Sequence, residues 1–493
     1  MGDVKLDINN QDLWSIQEAR TLLQAAGQAK EILAGFDQQQ TDRIVAAMAQ
    51  AGYENAKRLA EMAVTETGFG VVADKILKNQ FATKNVYEFI RDLKTVGMIH
   101  EDPVRRVMEI AEPMGVVVGL IPTTNPTSTV FYKALIALKS RNAIIFSPHP
   151  RAVKCTLEAA RVMEEAAVAA GTPRGVVSCL TLATKEAADE LMHHWQTAVI
   201  LATGGSAMVK AAYSAGKPAY GVGPGNVPAF IERSADITKA VSDILSSKTF
   251  DNGTICASEQ AIVVESAVAD LVMTELKRQR GYFIPDSEIP RLEATVILPN
   301  GGVNPKVVGQ GPQFIAGLAG IVIPEQTRVL IATLSGVGKN HPLSAEKLCP
   351  VLAFYIEPDW QKACERCFEL LQYGGIGHSL VIHSQNHQII QEFAMKKPVF
   401  RILVNTPSSQ GAIGLTTGLT PALTLGCGTW GGSITADNVG PLHLINRKRL
   451  AYDCSADTAT NTSGDMTGSA QNQHYHFSRK EVIQAIEMYL KIS

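Results

Sequence analysis

At 493 residues, with 46% hydrophobic and 19% charged residues, the chain has the make-up of a globular enzyme of two or three domains, each able to bury its own core. A formal net charge of −2 leaves no basic excess for a nucleic-acid backbone and no run of like charge for a membrane surface, so neither partner is expected. Eight cysteines, at 155, 179, 256, 349, 364, 367, 427 and 454, follow no framework spacing and read as reduced thiols in a cytosolic compartment.

The opening MGDVKLDINNQDLW lacks a positive flank followed by an apolar core, so no signal peptide is expected, and no apolar run reaches the length of a membrane span. Residues 15 to 98 carry helical periodicity and helix formers, as in SIQEARTLLQAAGQAKEILAGF. From about 113 the short apolar runs MGVVVGLIP, NAIIFSP, VVSCLTL and TAVILATGG alternate with helical segments, the pattern of a parallel sheet covered by helices on both faces. Such a sheet carries its ligands at the C-terminal ends of its strands. A second series predicts strands at AIVVES, ATVILP, PKVVGQ, RVLIATL, VLAFYIE, LVIHS and RILVNT. The fold class is therefore α/β, with a first domain over 1–248, a second over 249–440, and a small-molecule site in the cleft between them.

Cys364 and Cys367 form a lone CxxC inside the amphipathic stretch DWQKACERCFELLQ. With no second CxxC and no HxxxH, two ordinary helix cysteines are favoured over a redox or metal pair. His193 and His194 have no ligand-like spacing, and no metal site is expected. Residues 455 to 473 contain no Ile, Leu, Val or aromatic residue, which predicts a flexible linker over 455–476. Over 477–493, Ser478 and Glu481 make a capping box, and Val482, Ile483, Ile486, Tyr489 and Leu490 share one stripe of an amphipathic helix.

FDNGTICASEQ sets Cys256 in a polar, glycine-containing bend ahead of the apolar run AIVVESAV, a setting that suits a presented nucleophile better than a space-filling thiol. PTTNPTST, ATGGSAMV and AEKLCPVL are further polar or glycine-bearing interruptions of the strand pattern. Together IPTTNPTST, NAIIFSPHPRA, LATGGSAMVKAAYSAGKPA, KTFDNGTICASEQ and TLGCGTWGG resemble the aldehyde dehydrogenase superfamily, and within it the coenzyme A-acylating branch. That branch includes the aldehyde half of bifunctional aldehyde-alcohol dehydrogenases and the acylating enzymes of bacterial microcompartments. The likeness runs from about residue 15 to 453. It implies a Rossmann-type cofactor domain, an α/β catalytic domain, and a small bridging β element near 104–118 and 441–454 that pairs subunits into a dimer or tetramer.

By this resemblance Cys256 matches the nucleophile that attacks the aldehyde carbonyl, and Asn125 the amide that donates to the developing alkoxide. The residue reading alone would make Asn125 an Asn-Pro turn capping the next helix. Thr203, Gly204, Gly205 and Ser206 match a strand-to-helix turn that lets a pyrophosphate approach a helix N-terminus. Thr124, Pro148, His149 and Gly223 fall at further cofactor-binding positions. Glu346 matches the glutamate that holds the nicotinamide ribose. His378, in YGGIGHSL, matches a histidine of the acylating branch. One role for it is to take the proton of an incoming thiol; the alternative is a core histidine satisfied by backbone.

Two departures matter. The hydrolytic members carry a glutamate that activates water in an E-L-G-G-K type segment, whereas GVGPGNVPAF, residues 221 to 230, has no carboxylate. An acyl group on Cys256 would then wait for coenzyme A, which gives the expected reaction: reversible oxidation of acetaldehyde or propionaldehyde to acyl-CoA with reduction of NAD. The ribose-gripping K-P-x-E segment is replaced by FSPHPRA. NAD is favoured, while Arg151 leaves NADP open through its ability to pair with a 2′-phosphate. The C-terminal helix resembles the encapsulation peptides that dock enzymes onto microcompartment shell proteins, implying the microcompartment lumen of a bacterial cytoplasm. Folding back onto its own subunit, or pairing between tails, is the other reading. The rival functions are a hydrolytic dehydrogenase with its base elsewhere, and a non-catalytic cargo or scaffold subunit.

Overall fold

The computed structural model describes residues 10 to 454, so the expected linker and C-terminal helix lie outside the described residues. The chain divides into a large unit, Met1–His100 with Glu109–Lys448, and a small one that takes Glu101–Met108 and the chain from Arg449 onward.

The predicted helical region opens with Gln11–Ala34, whose N-cap Asn10 accepts the Asp12 N–H and whose buried residues Ala19, Leu23, Ala26, Ala29 and Leu33 recur every three to four positions. Gln38–Glu54 starts with a capping box between Asp37 and Gln40. Helices Ala56–Thr67 and Val72–Gln80 follow, and the latter continues through a π-turn, Phe81–Asn85, into Val86–Ile90.

Strands β1 (Gly97–Asp102) and β2 (Val107–Pro113) come next. Then β3 (Val116–Leu120), β4 (Ala143–Ser147), β5 (Val177–Cys179), β6 (Thr197–Thr203) and β7 (Ala219–Val222) form a parallel sheet in the order β5-β4-β3-β6-β7. β3 and β4 are buried at every residue, as a sheet covered on both faces requires. The helix Pro126–Lys139, between them, is buried all round. Its Lys133 is neutralised in tendency by burial and donates to the carbonyls of Leu120 and Leu201, tying the ends of β3 and β6 together.

The second sheet contains β8 (Val227–Ile231), β9 (Glu259–Glu265), β10 (Gly281–Phe283), β11 (Val329–Thr333), β12 (Val351–Glu357), β13 (Gly377–His383) and β14 (Val399–Val404). They are parallel in the order β10-β11-β12-β9-β8-β13-β14. β15 (Ile445–Ala451) completes a three-stranded sheet in the order β1-β2-β15.

The chain thus leaves the first sheet at Val222 and enters the second at Val227, and the expected boundary at 248 falls inside the helix Ile237–Thr249. The Gly-Pro-Gly-Asn between the two strands lies within residues 221 to 230, the segment set against E-L-G-G-K for its missing carboxylate and not as a boundary. ATVILP is no strand: Ile289–Val296 is a helix with Pro290 in its first turn and Leu292 and Val296 buried one turn apart, packing that overrides β-branched propensity. PKVVGQ is a turn whose Gly309 carbonyl accepts the Gly70 N–H and the Asn252 amide. The bridging segment near 104–118 is also redrawn, since β2 ends at Pro113 and 116–118 open β3 of the first sheet.

Candidate active site

Two sheet edges build the site. Five neighbouring strands of the second sheet, β12-β9-β8-β13-β14, present their leading ends, and these ends or the loops just before them carry Glu346, Cys256, Gly225, His378 and Arg401. The first sheet presents trailing ends. Asn125 follows β3, Pro148 and His149 follow β4, and Gly204 and Gly205 follow β6. The C-terminal-end rule holds for the first sheet only.

Cys256 lies in the tight turn before β9. Asp251 and Asn252 both have left-handed backbones, with φ of 51° and 52°, and Gly253 continues at 76°. Left-handed geometry costs about 1–2 kcal/mol per non-glycine residue, least for Asp and Asn. It is held here by the Asp251 N–H donating to Asp74 Oδ2 at 2.7 Å, the Val71 N–H donating to Asp251 Oδ1 at 2.7 Å, and Asn252 on Gly309. The polar residues ahead of the thiol are thus the means of bending the chain. The Gly223–Asn226 crossover packs directly on it: a Cβ at position 225 would stand 2.0 Å from the Cys256 carbonyl oxygen.

His378 Nε2 is 3.1 Å from Cys256 Sγ, and His378 Nδ1 is 3.0 Å from Ser379 Oγ. Arg401, buried, donates Nε–H to that same Ser379 oxygen at 3.3 Å and further N–H groups to the Gly426 and Ala436 carbonyls. Ser379 accepts from Arg401, so its own proton is available to Nδ1, and the imidazole then carries its proton on Nε2, facing the sulfur. Burial, with Arg401 adding to it, lowers His378 to about 3. Burial raises the Cys256 thiol to about 12, and the nearby Glu346 pushes the same way. Glu346 Oε1 accepts the Gly225 N–H at 3.1 Å, and burial raises this carboxyl to about 7. The crossover itself brings no carboxylate, but a carboxyl reaches it from the loop before β12.

Asn125 occupies the N-cap position of Pro126–Lys139, yet its side chain does not cap that helix. The amide donates to the Thr254 carbonyl at 3.0 Å and to Thr124 Oγ1 at 3.2 Å, while its oxygen accepts from Lys78 Nζ at 2.6 Å. The capping alternative is therefore not what the side chain does. Thr124 also gives its carbonyl to Lys75 Nζ at 2.8 Å.

Pro148, His149, Thr203, Gly204 and Gly205 line one cavity of about 350 Å³ together with Leu120 and Met208. Ser206 opens the helix Ser206–Ser214 beside it. Thr203 Oγ1 is buried without a partner, and a Cβ at 205 would meet nothing within 4 Å, so a polar ligand and its close approach to the backbone fit this wall. Thr124, Gly223 and Glu346 lie outside this cavity's lining; Gly223 opens the crossover. Cys364 and Cys367 are buried on the helix Trp360–Tyr373 and are free thiols, away from these groups.

Lys75, Lys78, Asp251, Ser379 and Arg401 escaped the sequence reading. In VADKILKNQ the usual amphipathic rule is inverted, with Lys75, Lys78 and Asn79 buried and Leu77 exposed, so only their partners could have marked them.

The sequence profile described as Aldehyde dehydrogenase family matches residues 9–281. The bifunctional aldehyde-alcohol dehydrogenase AdhE of Escherichia coli (strain K12) is 46% identical over 442 residues, covering 89% of this chain and 50% of that protein, so the chain spans about half the length of that relative. Among solved structures, an acetylating aldehyde dehydrogenase from Geobacillus thermoglucosidasius superposes with a TM-score of 0.89 at 52% identity, covering 94% of this chain and 100% of that one. A Rhodopseudomonas palustris propionaldehyde dehydrogenase, solved with bound CoA and an acylated cysteine, superposes with a TM-score of 0.81 at 26% identity, covering 88% of this chain and 97% of that one. With the fold, the thiol and the two facing sheet edges in agreement, this chain belongs to the aldehyde dehydrogenase family.

Proposed function

We propose that this chain oxidises a short aliphatic aldehyde, acetaldehyde or propionaldehyde, to its coenzyme A thioester with a nicotinamide dinucleotide as oxidant, and runs the reverse reaction. The Cys256 thiol loses its proton to solvent, its sulfur bonds to the carbonyl carbon, and the Asn125 amide donates to the oxygen as it becomes an alkoxide. Thr203, Gly204, Gly205 and the N-terminus of Ser206–Ser214 hold the dinucleotide, which when bound accepts the hydride. The oxygen then reforms its carbonyl, leaving a thioester on Cys256. Coenzyme A sulfur bonds to that carbon as its thiol proton passes to solvent, and the carbon–sulfur bond to Cys256 breaks, so that Cys256 departs as a thiolate. His378, with its proton on Nε2 at 3.1 Å, donates to this leaving sulfur. Its lowered basicity suits that role better than taking the proton of the incoming thiol.

The observation that supports the acyl-transfer reading is the crossover packed on Cys256, Gly223-Pro224-Gly225-Asn226, which has no carboxylate of its own to activate water, while the carboxyl that reaches it, Glu346, is engaged by the Gly225 N–H. The relative solved with bound CoA and an acylated cysteine supports the same direction. Reduced dinucleotide is followed by absorbance with aldehyde and oxidised dinucleotide, with and without coenzyme A. The expected outcome is at most a single turnover without coenzyme A and continuous turnover with it. Many fast turnovers without it would make the enzyme hydrolytic.

NAD is preferred over NADP in this reading. Arg151, the cation available to a 2′-phosphate, donates to the Thr67 carbonyl at 3.2 Å and stacks on Phe69 at 4.7 Å. The Glu66 carboxylate already takes the N–H groups of Lys154 and Cys155 at the start of the helix Val153–Ala169. Pairing into a dimer or tetramer draws support from β15, an edge strand with six exposed residues. Docking of 477–493 onto a microcompartment shell protein, and with it residence in the lumen, rests on the capped, amphipathic pattern of that segment. Removing 456–493 should abolish co-purification with shells and leave turnover intact.

A further inference from the structure

We infer that Lys78 is the positioning residue that orients the Asn125 amide, an inference that rests on the reading of Asn125 as the donor to the alkoxide. Lys78 stands on Val72–Gln80 and is 3% exposed. An ammonium has three donors and no acceptor. Its three are matched to Asn125 Oδ1 at 2.6 Å, Asp251 Oδ2 at 2.5 Å and Thr254 Oγ1 at 3.2 Å.

The orientation of the amide follows. Burial lowers Lys78 to about 8, so near neutral pH it is a cation that can only donate and must face the amide oxygen, and the two amide N–H bonds are thereby turned toward the Thr254 carbonyl, two residues before Cys256, and the Thr124 hydroxyl. A flipped amide would set N–H against an ammonium and present an oxygen lone pair to a developing alkoxide. The cation also draws electrons through the amide, which makes its N–H groups better donors.

The same nitrogen also reaches Asp251, in the bend before Cys256. Asp251, fully buried, receives Lys78, Lys75 at 2.9 Å and the Thr254 hydroxyl at 2.6 Å, five residues or fewer before Cys256. Burial works against the Asp251 charge, and the two lysines overcome it, holding the carboxyl below its usual range. Without Lys78 the bend still has Lys75, the Thr254 hydroxyl and the Val71 N–H on Asp251, so what this ammonium alone supplies is the partner of the Asn125 oxygen, from an element belonging to neither sheet edge.

The test is a double-mutant cycle of Lys78→Met and Asn125→Ala, read by turnover with aldehyde, dinucleotide and coenzyme A. In the native background Lys78→Met should lower kcat about 10- to 100-fold with less than about a threefold change in aldehyde KM, the mark of a transition-state contact. In the Asn125→Ala background the same change should cost less than about twofold more. Alkylation of Cys256 by iodoacetamide needs no alkoxide donor and should keep its rate within about twofold. Equal losses in both backgrounds, or alkylation falling in step with kcat, would overturn the inference. Should Lys78→Met not fold, Lys78→Gln enters the same cycle; its amide can still donate to Asn125, so the loss in the native background should be smaller than about 10-fold but measurable, and absent in the Asn125→Ala background. A wild-type enzyme without coenzyme A-dependent turnover would instead sink the functional reading, before any variant is compared.

Discussion

The two facing edges of the site use glycine in opposite ways. On the trailing edge of the first sheet, a Cβ at Gly205 would meet nothing within 4 Å, and at Gly204 only Met208, at 3.6 Å. On the leading edge of the second, a Cβ at Gly225 would lie 2.0 Å from the Cys256 carbonyl oxygen, and at Gly377 1.9 Å from that of Cys427. The first edge keeps space for something that comes and goes. The second is closed upon itself, because atoms that make and break bonds must be held to a fraction of an ångström. Its strain and buried charge, in the left-handed Asp251 and Asn252 and the Lys75, Lys78 and Asp251 cluster, have no counterpart among the cavity-lining residues of the first edge.

The largest effect should come from filling the closed edge. Gly225→Ala cannot be absorbed by a flexible side chain, because its nearest neighbour is backbone. Overpacking of this kind costs about 1–3 kcal/mol, and displacing Cys256 should lower kcat by about 100-fold or more. Thermal unfolding and turnover check both. A variant with native turnover would show that the crossover is looser than the packed geometry requires.

A smaller effect tests electrostatics on the same edge. Burial raises Glu346 to about 7, and Glu346 in turn helps to raise Cys256. Above pH 7 the carboxylate is charged and suppresses thiolate formation; well below it the carboxyl is neutral and does not. Glu346→Gln imitates the neutral form at every pH. Iodoacetamide should therefore alkylate Cys256 about three- to tenfold faster in the variant at pH 8, with the difference closing below pH 6. An unchanged rate at pH 8 would detach Glu346 from the thiol.

The open edge was the more legible one in sequence. Short apolar runs followed by small residues, as in TAVILATGG, announce a strand, a turn and a helix N-terminus with local signals alone, and β3, β4 and β6 lie where those runs stand. Cys256 and Asn125 were legible as residues, through their polar settings and the family likeness. What holds them was not. Lys78 is 47 positions from Asn125 and 173 from Asp251, and the hydrogen bonds from Arg401 to His378 run through Ser379. A buried lysine looks in sequence like a surface one, since what permits its burial is a partner supplied by another part of the chain. The boundary at Val222 was missed for a related reason: β8 and the helix after it continue the same strand-helix rhythm, and only hydrogen-bonded neighbours reveal a change of sheet.

The smallest effect sharpens the comparison from the open side. Gly205 has φ −66° and ψ 162°, a conformation alanine adopts without strain, and its missing Cβ has no protein neighbour. Gly205→Ala should therefore leave the unfolding midpoint within about 2 °C of the parent. The glycine is needed only where a pyrophosphate must approach the backbone, so dinucleotide affinity, measured by fluorescence titration without turnover, should weaken about three- to tenfold. A loss of stability with unchanged affinity would place the constraint in the fold and remove the contrast between the edges. Weakened affinity at constant stability is the result that space reserved for a ligand requires.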